Sequence, residues 1–524
     1  MRTAAKHMSA ICQKRSEKQS GPSQKWQKRG AVAILALTDI NLPGTLAPDF
    51  QCIFRLDRNG GSNEQYAPGE ERMPRNEAAA PRETLSLVDG MVIVVGMVVG
   101  IGIFATPSQV AQFAGSSVTY LSLWLVGGAL TLIGALCYAE LATAFPNAGG
   151  EYHFLSRAYG RGTALMFGWA RCAVIQTGAI AFVAFVYGDY AQGILPLGPY
   201  GPAIHAGLIV ALFTGINIAG TWQGKTAQQI FTTMDIAALL MLLTAGLAVA
   251  FSGGGATAAP AAAASGGGGS SAIGLAMVFV LLTYGGWNEA AYLSAELRDG
   301  KRNIVRLLVL SIVAVTALYF LVAWAYLYVM GFEGLKHSNA IAADVMRAAF
   351  GPTGATLMAL FVCGSAISTL NATIFTGARV YYALGRDLPG LKFFGVWSPR
   401  GENPAHAFLL QGAIALALVV FGAFKPDGFR AMVEYTSPVF WLFMTLVAVS
   451  LFIFRRREPG RMLAYRVPLY PITPLIFIAT CLYMLYSSLV YAGSSAWVGA
   501  AVLLAGTPLL LLSRNAAPAG EAAE

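Results

Sequence analysis

From Leu87 onward, long apolar stretches recur along the chain, separated by short polar breaks. Twelve are delimited, at about 88–113, 118–145, 163–190, 203–221, 228–251, 272–297, 304–330, 352–384, 405–424, 430–454, 468–490 and 494–513. A helix needs about 20 such residues to cross about 30 Å of hydrocarbon. The pattern therefore predicts an all-α integral membrane protein with twelve transmembrane helices in residues 83–515. Residues 1–82 are polar and mixed in charge, and their one apolar patch, Ala31 to Leu37, is too short to span. That segment has two readings: a disordered cytoplasmic tail, or an upstream extension of a chain whose translation begins at Met73. It lies badly for a signal peptide. Residues 516–524 read as a second short tail. The Ala/Gly/Ser-rich stretch from Ser252 to Ser271 reads as a flexible loop, and Asn339 to Phe350 as a short surface helix before the eighth span.

Composition narrows the class. Hydrophobic residues make up 56% of the 524, and charged ones only 12%, against roughly 25% in a soluble domain. A nucleic-acid module and a water-soluble enzyme are excluded. The net charge of +9 says little about an anionic partner, because residues 1–82 alone hold thirteen Lys/Arg against eight Asp/Glu. Six cysteines show no CxxC spacing, and five histidines form no HExxH pair, so neither a metal site nor a cofactor is expected. With both termini inside, sixteen Lys/Arg fall in the cytoplasmic connections and four on the opposite side. That bias sets the orientation.

Two spans carry glycines at matched positions. The first reads Val98-Val99-Gly100-Ile101-Gly102-Ile103-Phe104, the sixth Leu282-Thr283-Tyr284-Gly285-Gly286-Trp287-Asn288. Spans one and six are the discontinuous helices that an inverted repeat of five plus five predicts. Unwound backbone in a membrane is tolerated only where it lines a cavity or binds something. Freed N–H groups at the positive end of a half-helix suit a carboxylate, and freed carbonyls suit an ammonium. A site offering both matches an α-amino acid. For Gly96, which forms a GxxxG spacing with Gly100, tight helix packing is the better reading.

GIGIF in span one, GALCYAELATAFPNAGGEY ending span two, YGGWN in span six and ISTLNATIFTGARVYYALGRD in span eight resemble the APC (amino acid-polyamine-organocation) superfamily, in particular its L-type amino acid transporter branch. The resemblance runs from about Leu87 to Arg457. It implies the five-plus-five fold with two added C-terminal helices, and alternating access around a central site. It also implies that the substrate carboxylate meets the N–H groups of Ile101 and Gly102, and the ammonium the carbonyls of Val98, Leu282 and Gly285. Val99, Gly100, Tyr284, Gly286, Trp287 and Gln176 complete the expected pocket. Two departures stand out. Ile101 replaces the branch's small polar residue between the paired glycines, and Leu282 stands where a gating phenylalanine is common. Animal members of the branch join a heavy subunit through a cysteine after span three. The loop from Gly188 to Pro202 has none, so no disulfide-linked heavy subunit is expected.

Ionisable residues within spans are functional hypotheses by default. Asp235 lies about 10 Å into span five at about 1.5 Å per residue, with Arg171 at similar depth in span three. Either the two form a structural ion pair, or Asp235 couples transport to H⁺ or Na⁺ with hydroxyls from Ser365, Ser368 and Thr369. Those hydroxyls have a second reading as donors to their own helix backbone. Asn371 and Gln176 line the cavity or join helices. Glu289 is a pathway alternative, Glu296 an interfacial ion-pair member and Glu140 structural. The chain thus reads as a secondary active transporter of a neutral α-amino acid in the cytoplasmic membrane. The rivals are a carrier of polyamines or other amines, and a non-transporting amino-acid sensor. A membrane-embedded enzyme lacks a nucleophile–base pair.

Overall fold

The computed structural model describes residues 87–145, 150–220, 225–252, 270–288, 300–387, 393–396, 403–460, 463, 465–490, 494–508 and 510. Both expected tails, most of the Ser252–Ser271 linker, Glu289 and Glu296 lie outside the described residues. Those described are helical, with no β-strand among them. Nine of their helices are long and apolar enough to cross a membrane, which makes the protein a multi-pass membrane protein.

The first span is interrupted. α1 (Leu87–Val98) ends before Val99, and α2 (Gly102–Ala114) begins three residues later. α3 (Ser117–Ala144) opens on Ser116, whose side chain accepts the Thr119 N–H at 3.1 Å. That cap satisfies one of the donors left free in a first helical turn. A short helix absent from the sequence reading, α4 (Gly150–Tyr159), follows. Its Arg157 bonds Glu458 at 3.0 Å, and its Tyr159 hydroxyl donates to the Leu446 carbonyl at 2.7 Å.

The third span is α5 (Arg161–Ala170) and α6 (Thr177–Ile194), joined by a π-helical turn, Arg171–Gln176. A π turn inserts a residue and disturbs the hydrogen-bond ladder. Tyrosines repair it here: Tyr381 donates to the Cys172 carbonyl, and Tyr435 to that of Ala173 at 2.9 Å. α7 (Gly201–Ala219) and α8 (Lys225–Phe251) match spans four and five.

Among the described residues of the sixth span, the α-helix is α9 (Ser270–Thr283), followed by a turn at residues 284–286. α10 (Gly300–His337) kinks at Gly331 and α11 (Ile341–Asp387) at Gly351, both with positive φ. The Gly351 kink sets the expected surface helix apart from span eight. α12 (Ala405–Ala423), α13 (Gly428–Arg457) and α14 (Ile472–Val490) are uninterrupted. α15 (Ser494–Leu504) has only 11 residues, about 16 Å at 1.5 Å per residue. The twelfth expected span is therefore shorter, as described, than its apolar run of 494–513 suggested.

The core is contiguous, as expected where helices pack on every side. Its largest fully buried side chains are aromatic, among them Trp124, Tyr319 and Tyr326. Buried polar groups join helices rather than stand alone. Asn217 donates to Asn371 at 2.8 Å, so Asn371 serves the interhelical reading. Glu140 holds Arg455 through two hydrogen bonds of 2.7 and 2.6 Å and accepts the Val467 N–H at 2.6 Å.

Candidate functional site

The two interrupted spans meet. Gly102 sits so close to Thr283 that a Cβ there would lie 3.1 Å from its Cα, and Thr106 Oγ1 contacts Thr283 Oγ1 at 2.5 Å. Beside this crossing lies a cavity of about 330 Å³, lined by Val98, Gly100, Ile101, Gly102, Leu282 and Gly285 among others. Small-molecule sites occupy about 300–1,000 Å³.

The backbone at the first break is only partly satisfied. The Gly100 N–H turns back to the Val98 carbonyl at 3.0 Å, and Phe104 N–H reaches Ile101 at 3.1 Å. The N–H groups of Ile101 and Gly102 donate to no backbone carbonyl among the described residues. They head α2, at the positive end of its dipole. In the sixth span, Gly285 N–H bonds the Leu282 carbonyl at 2.9 Å, and Gly286 takes φ 99°. Such a backbone angle suits glycine alone.

A residue that the sequence reading missed ties the breaks together. The Tyr319 hydroxyl, on α10, lies 2.8 Å from the Val98 carbonyl and 3.2 Å from that of Thr283. Its signal was the pair Tyr319 and Tyr326, seven residues apart on one helical face; Tyr326 reaches the Ile103 carbonyl at 3.3 Å. The Val98 carbonyl, expected to receive an ammonium, thus already has two donors. Tyr319→Phe should remove a donor shared by both breaks, at about 1–3 kcal/mol. The expected result is a lower melting temperature in detergent with a raised KM.

The remaining expected residues divide. Gly286, Trp287 and Gln176 line the cavity. The Trp287 ring meets Tyr138 edge-on with centroids 4.9 Å apart. Gln176, at the end of the π turn, donates to the Thr373 carbonyl at 2.9 Å, so it serves both of its readings. Val99 and Tyr284 do not line the cavity. Tyr284 is buried, and its hydroxyl donates to the Trp124 carbonyl at 2.9 Å. Its N–H still bonds Val280, so it keeps helical phase and points away.

The Arg171–Asp235 pairing is corrected. Arg171 instead faces Glu151 of α4, Nη1 to Oε2 at 3.7 Å, and the other Glu151 oxygen accepts from Asn288 at 2.8 Å. Both members of this pair line the cavity. Equal depth does not imply a shared face. Asp235 faces Ser365 across the contact between α8 and α11. Asp235 Oδ1 and Ser365 Oγ are both buried without a hydrogen-bond partner, which removes the own-backbone reading for Ser365. Ser368 is buried, Thr369 lines the cavity, and the Thr369 carbonyl accepts from Thr373.

Aromatic rings gather around Phe182 and Phe429 of the cavity lining. Phe113 stacks on Phe279 at 6.2 Å, and Phe429 meets Phe279 at 6.2 Å and Phe182 at 6.1 Å. Arg430 caps Phe113 at 4.9 Å, and Gln109 bonds Asp427 at 2.6 Å.

Residues 85–511 match the family model described as amino acid permease. The chain is 30% identical to the b(0,+)-type amino acid transporter 1 of Rattus norvegicus over 422 residues, 79% of this chain and 84% of that one. It is 27% identical to the serine/threonine exchanger SteT of Bacillus subtilis, covering 82% and 96% of the two chains. Identity to the large neutral amino acids transporter small subunit 2 of Mus musculus is 28%, over 87% and 86%.

Proposed function

Because the chain belongs to the amino acid permease family, we propose that it is a secondary active transporter carrying a neutral α-amino acid across the cytoplasmic membrane by alternating access. Its work is translocation, not covalent chemistry. The observation that carries this reading is one cavity bordered by both helix breaks, with the unengaged N–H groups of Ile101 and Gly102 at its edge. The substrate carboxylate binds there, and its ammonium takes carbonyls of the second break. Neutrality is supported by the lining: its carboxylate among the described residues, Glu151, faces Arg171 rather than standing ready for a cationic side chain. Similarity to a serine/threonine exchanger points the same way.

The fold in this reading is a five-plus-five inverted repeat with two further helices, both termini lying in the cytoplasm. Residues 1–82 are a tail that the transport cycle does not use. No disulfide-linked heavy subunit joins it, since residues 188–202 hold no cysteine.

Asp235 and Ser365 form the coupling site for H⁺ or Na⁺ in this scheme, their orphaned oxygens supplying the ligands. Asp235→Asn should abolish the response of uptake to an imposed ion gradient while leaving substrate exchange measurable. An unchanged gradient response removes Asp235 from coupling. The reading as a whole is tested by uptake of a radiolabelled panel into proteoliposomes, with and without ion gradients and internal amino acids. Neutral α-amino acids should accumulate and putrescine should not. Uptake of putrescine alone would overturn the assignment.

A further inference from the structure

A second cavity, about 160 Å³, lies at the end of the bundle where α3 and α13 finish. Its apolar lining is Leu141, Phe145, Leu451, Phe454 and Leu463, and its polar lining is the buried Glu140 with Arg455, Glu458 and the exposed Arg466. The two acids are engaged, Glu140 by Arg455 and the Val467 N–H, Glu458 by Arg157. Arg455 spends Nε and Nη2 on Glu140 and lies 3.8 Å over the Tyr470 ring. Arg466 has no ion-pair partner among the described residues.

Immediately beyond Arg466, Leu469 is 76% exposed and Ile472 57%, followed by exposed Leu475 and Ile476 along α14. In a membrane protein that surface faces acyl chains, so Arg466 stands where hydrocarbon meets water. The neighbourhood is strongly basic, with Arg456 and Arg457 exposed next to the cavity. His153 on the adjacent α4 adds no charge at neutral pH, because burial and the Arg157 charge push its imidazole below the ordinary value.

We propose that this cavity is a binding site for the headgroup of an anionic phospholipid, with the phosphate held by Arg466 and the outer edge of Arg455. A guanidinium offers paired donors matched to phosphate oxygens, and basic pockets between helices at the cytoplasmic surface suit anionic headgroups. The glycerol backbone rests on the apolar lining, and an acyl chain follows the exposed face of α14. The lipid thereby braces the junction that Glu140 and Arg455 already hold between α3 and α13.

The test uses the full chain in nanodiscs of phosphatidylcholine, with phosphatidylglycerol added in steps, and reads the melting temperature. Phosphatidylglycerol should raise it in a saturable way. Arg466→Gln should lose most of that shift, Arg466→Lys, which keeps the charge but not the paired donors, should lose a smaller part of it, and Arg456→Gln, outside the cavity, should keep all of it. Equal losses from Arg456→Gln and Arg466→Gln would reduce the effect to general surface charge and overturn the site. Inorganic phosphate added to pure phosphatidylcholine discs at matched ionic strength should give no shift; a shift of the same size would make the site one for soluble anions and overturn the lipid assignment.

Discussion

Gly102→Leu should reduce amino-acid uptake to background while the protein stays monodisperse in detergent. Even the first carbon of a side chain at Gly102 would meet Thr283 Cα at 3.1 Å and its Cγ2 at 3.3 Å. The Cα belongs to backbone and cannot rotate aside, so α2 must withdraw from α9. That withdrawal strains the Thr106–Thr283 contact and moves the Ile101 and Gly102 N–H groups relative to the second break. Gly102→Ala needs a shift of only a few tenths of an ångström and should lose about tenfold in affinity, about 1.4 kcal/mol. Gly100 provides the contrast: a Cβ there meets nothing within 4 Å. Gly100→Ala should fold normally and alter only what the cavity accepts. Radiolabelled uptake, with size-exclusion profiles of each variant, checks the series. Uptake by Gly102→Leu at the unmodified rate would remove this crossing from the substrate path.

The places of the breaks were legible because glycine pairs inside apolar runs violate helix propensity without any gain in packing that the run itself explains. What lay beyond reach was azimuth. Arg171 and Asp235 stand at similar depths, yet depth along a helix does not fix which way a side chain points. The π turn at Arg171–Gln176 adds to the difficulty, since it shifts the phase of everything after it and leaves no mark in residues 171–176 themselves. Tyr284 failed for a related reason. It belongs to the YGGWN motif but precedes the unwinding, so helical geometry still directs it to Trp124. Glu151 falls between the second and third apolar runs, where nothing in the sequence marks it for a cavity. Only the folding of α4 against the bundle brings it to Arg171 and Asn288. The tyrosines that donate to freed carbonyls escaped notice because a buried tyrosine is first of all apolar surface, and its hydroxyl partner is set by the neighbouring helix.

Glu140→Ala should be the most destabilising single substitution outside the substrate cavity. The carboxylate is 3% exposed and accepts three hydrogen bonds, two from Arg455 and one from the Val467 N–H. Truncation strands a partly buried guanidinium and a buried backbone donor at once. Removing one member of a buried ion pair costs about 3–5 kcal/mol. The lower end is expected here, because Arg455 keeps 21% of its side-chain surface exposed and still lies over Tyr470. Arg455→Met should destabilise in the same direction, by leaving a buried carboxylate with the Val467 N–H as its remaining donor among those three bonds. The double variant Glu140→Leu/Arg455→Met distinguishes pairing from bulk. With both charges gone and the volume filled, it should melt above either single variant, since an apolar replacement of a buried pair is often neutral. Melting curves in one detergent give the comparison. Strict additivity of the separate losses from Glu140→Leu and Arg455→Met in that double variant would mean that the contact carries no coupling energy, and the junction between α3 and α13 would then rest on apolar packing alone.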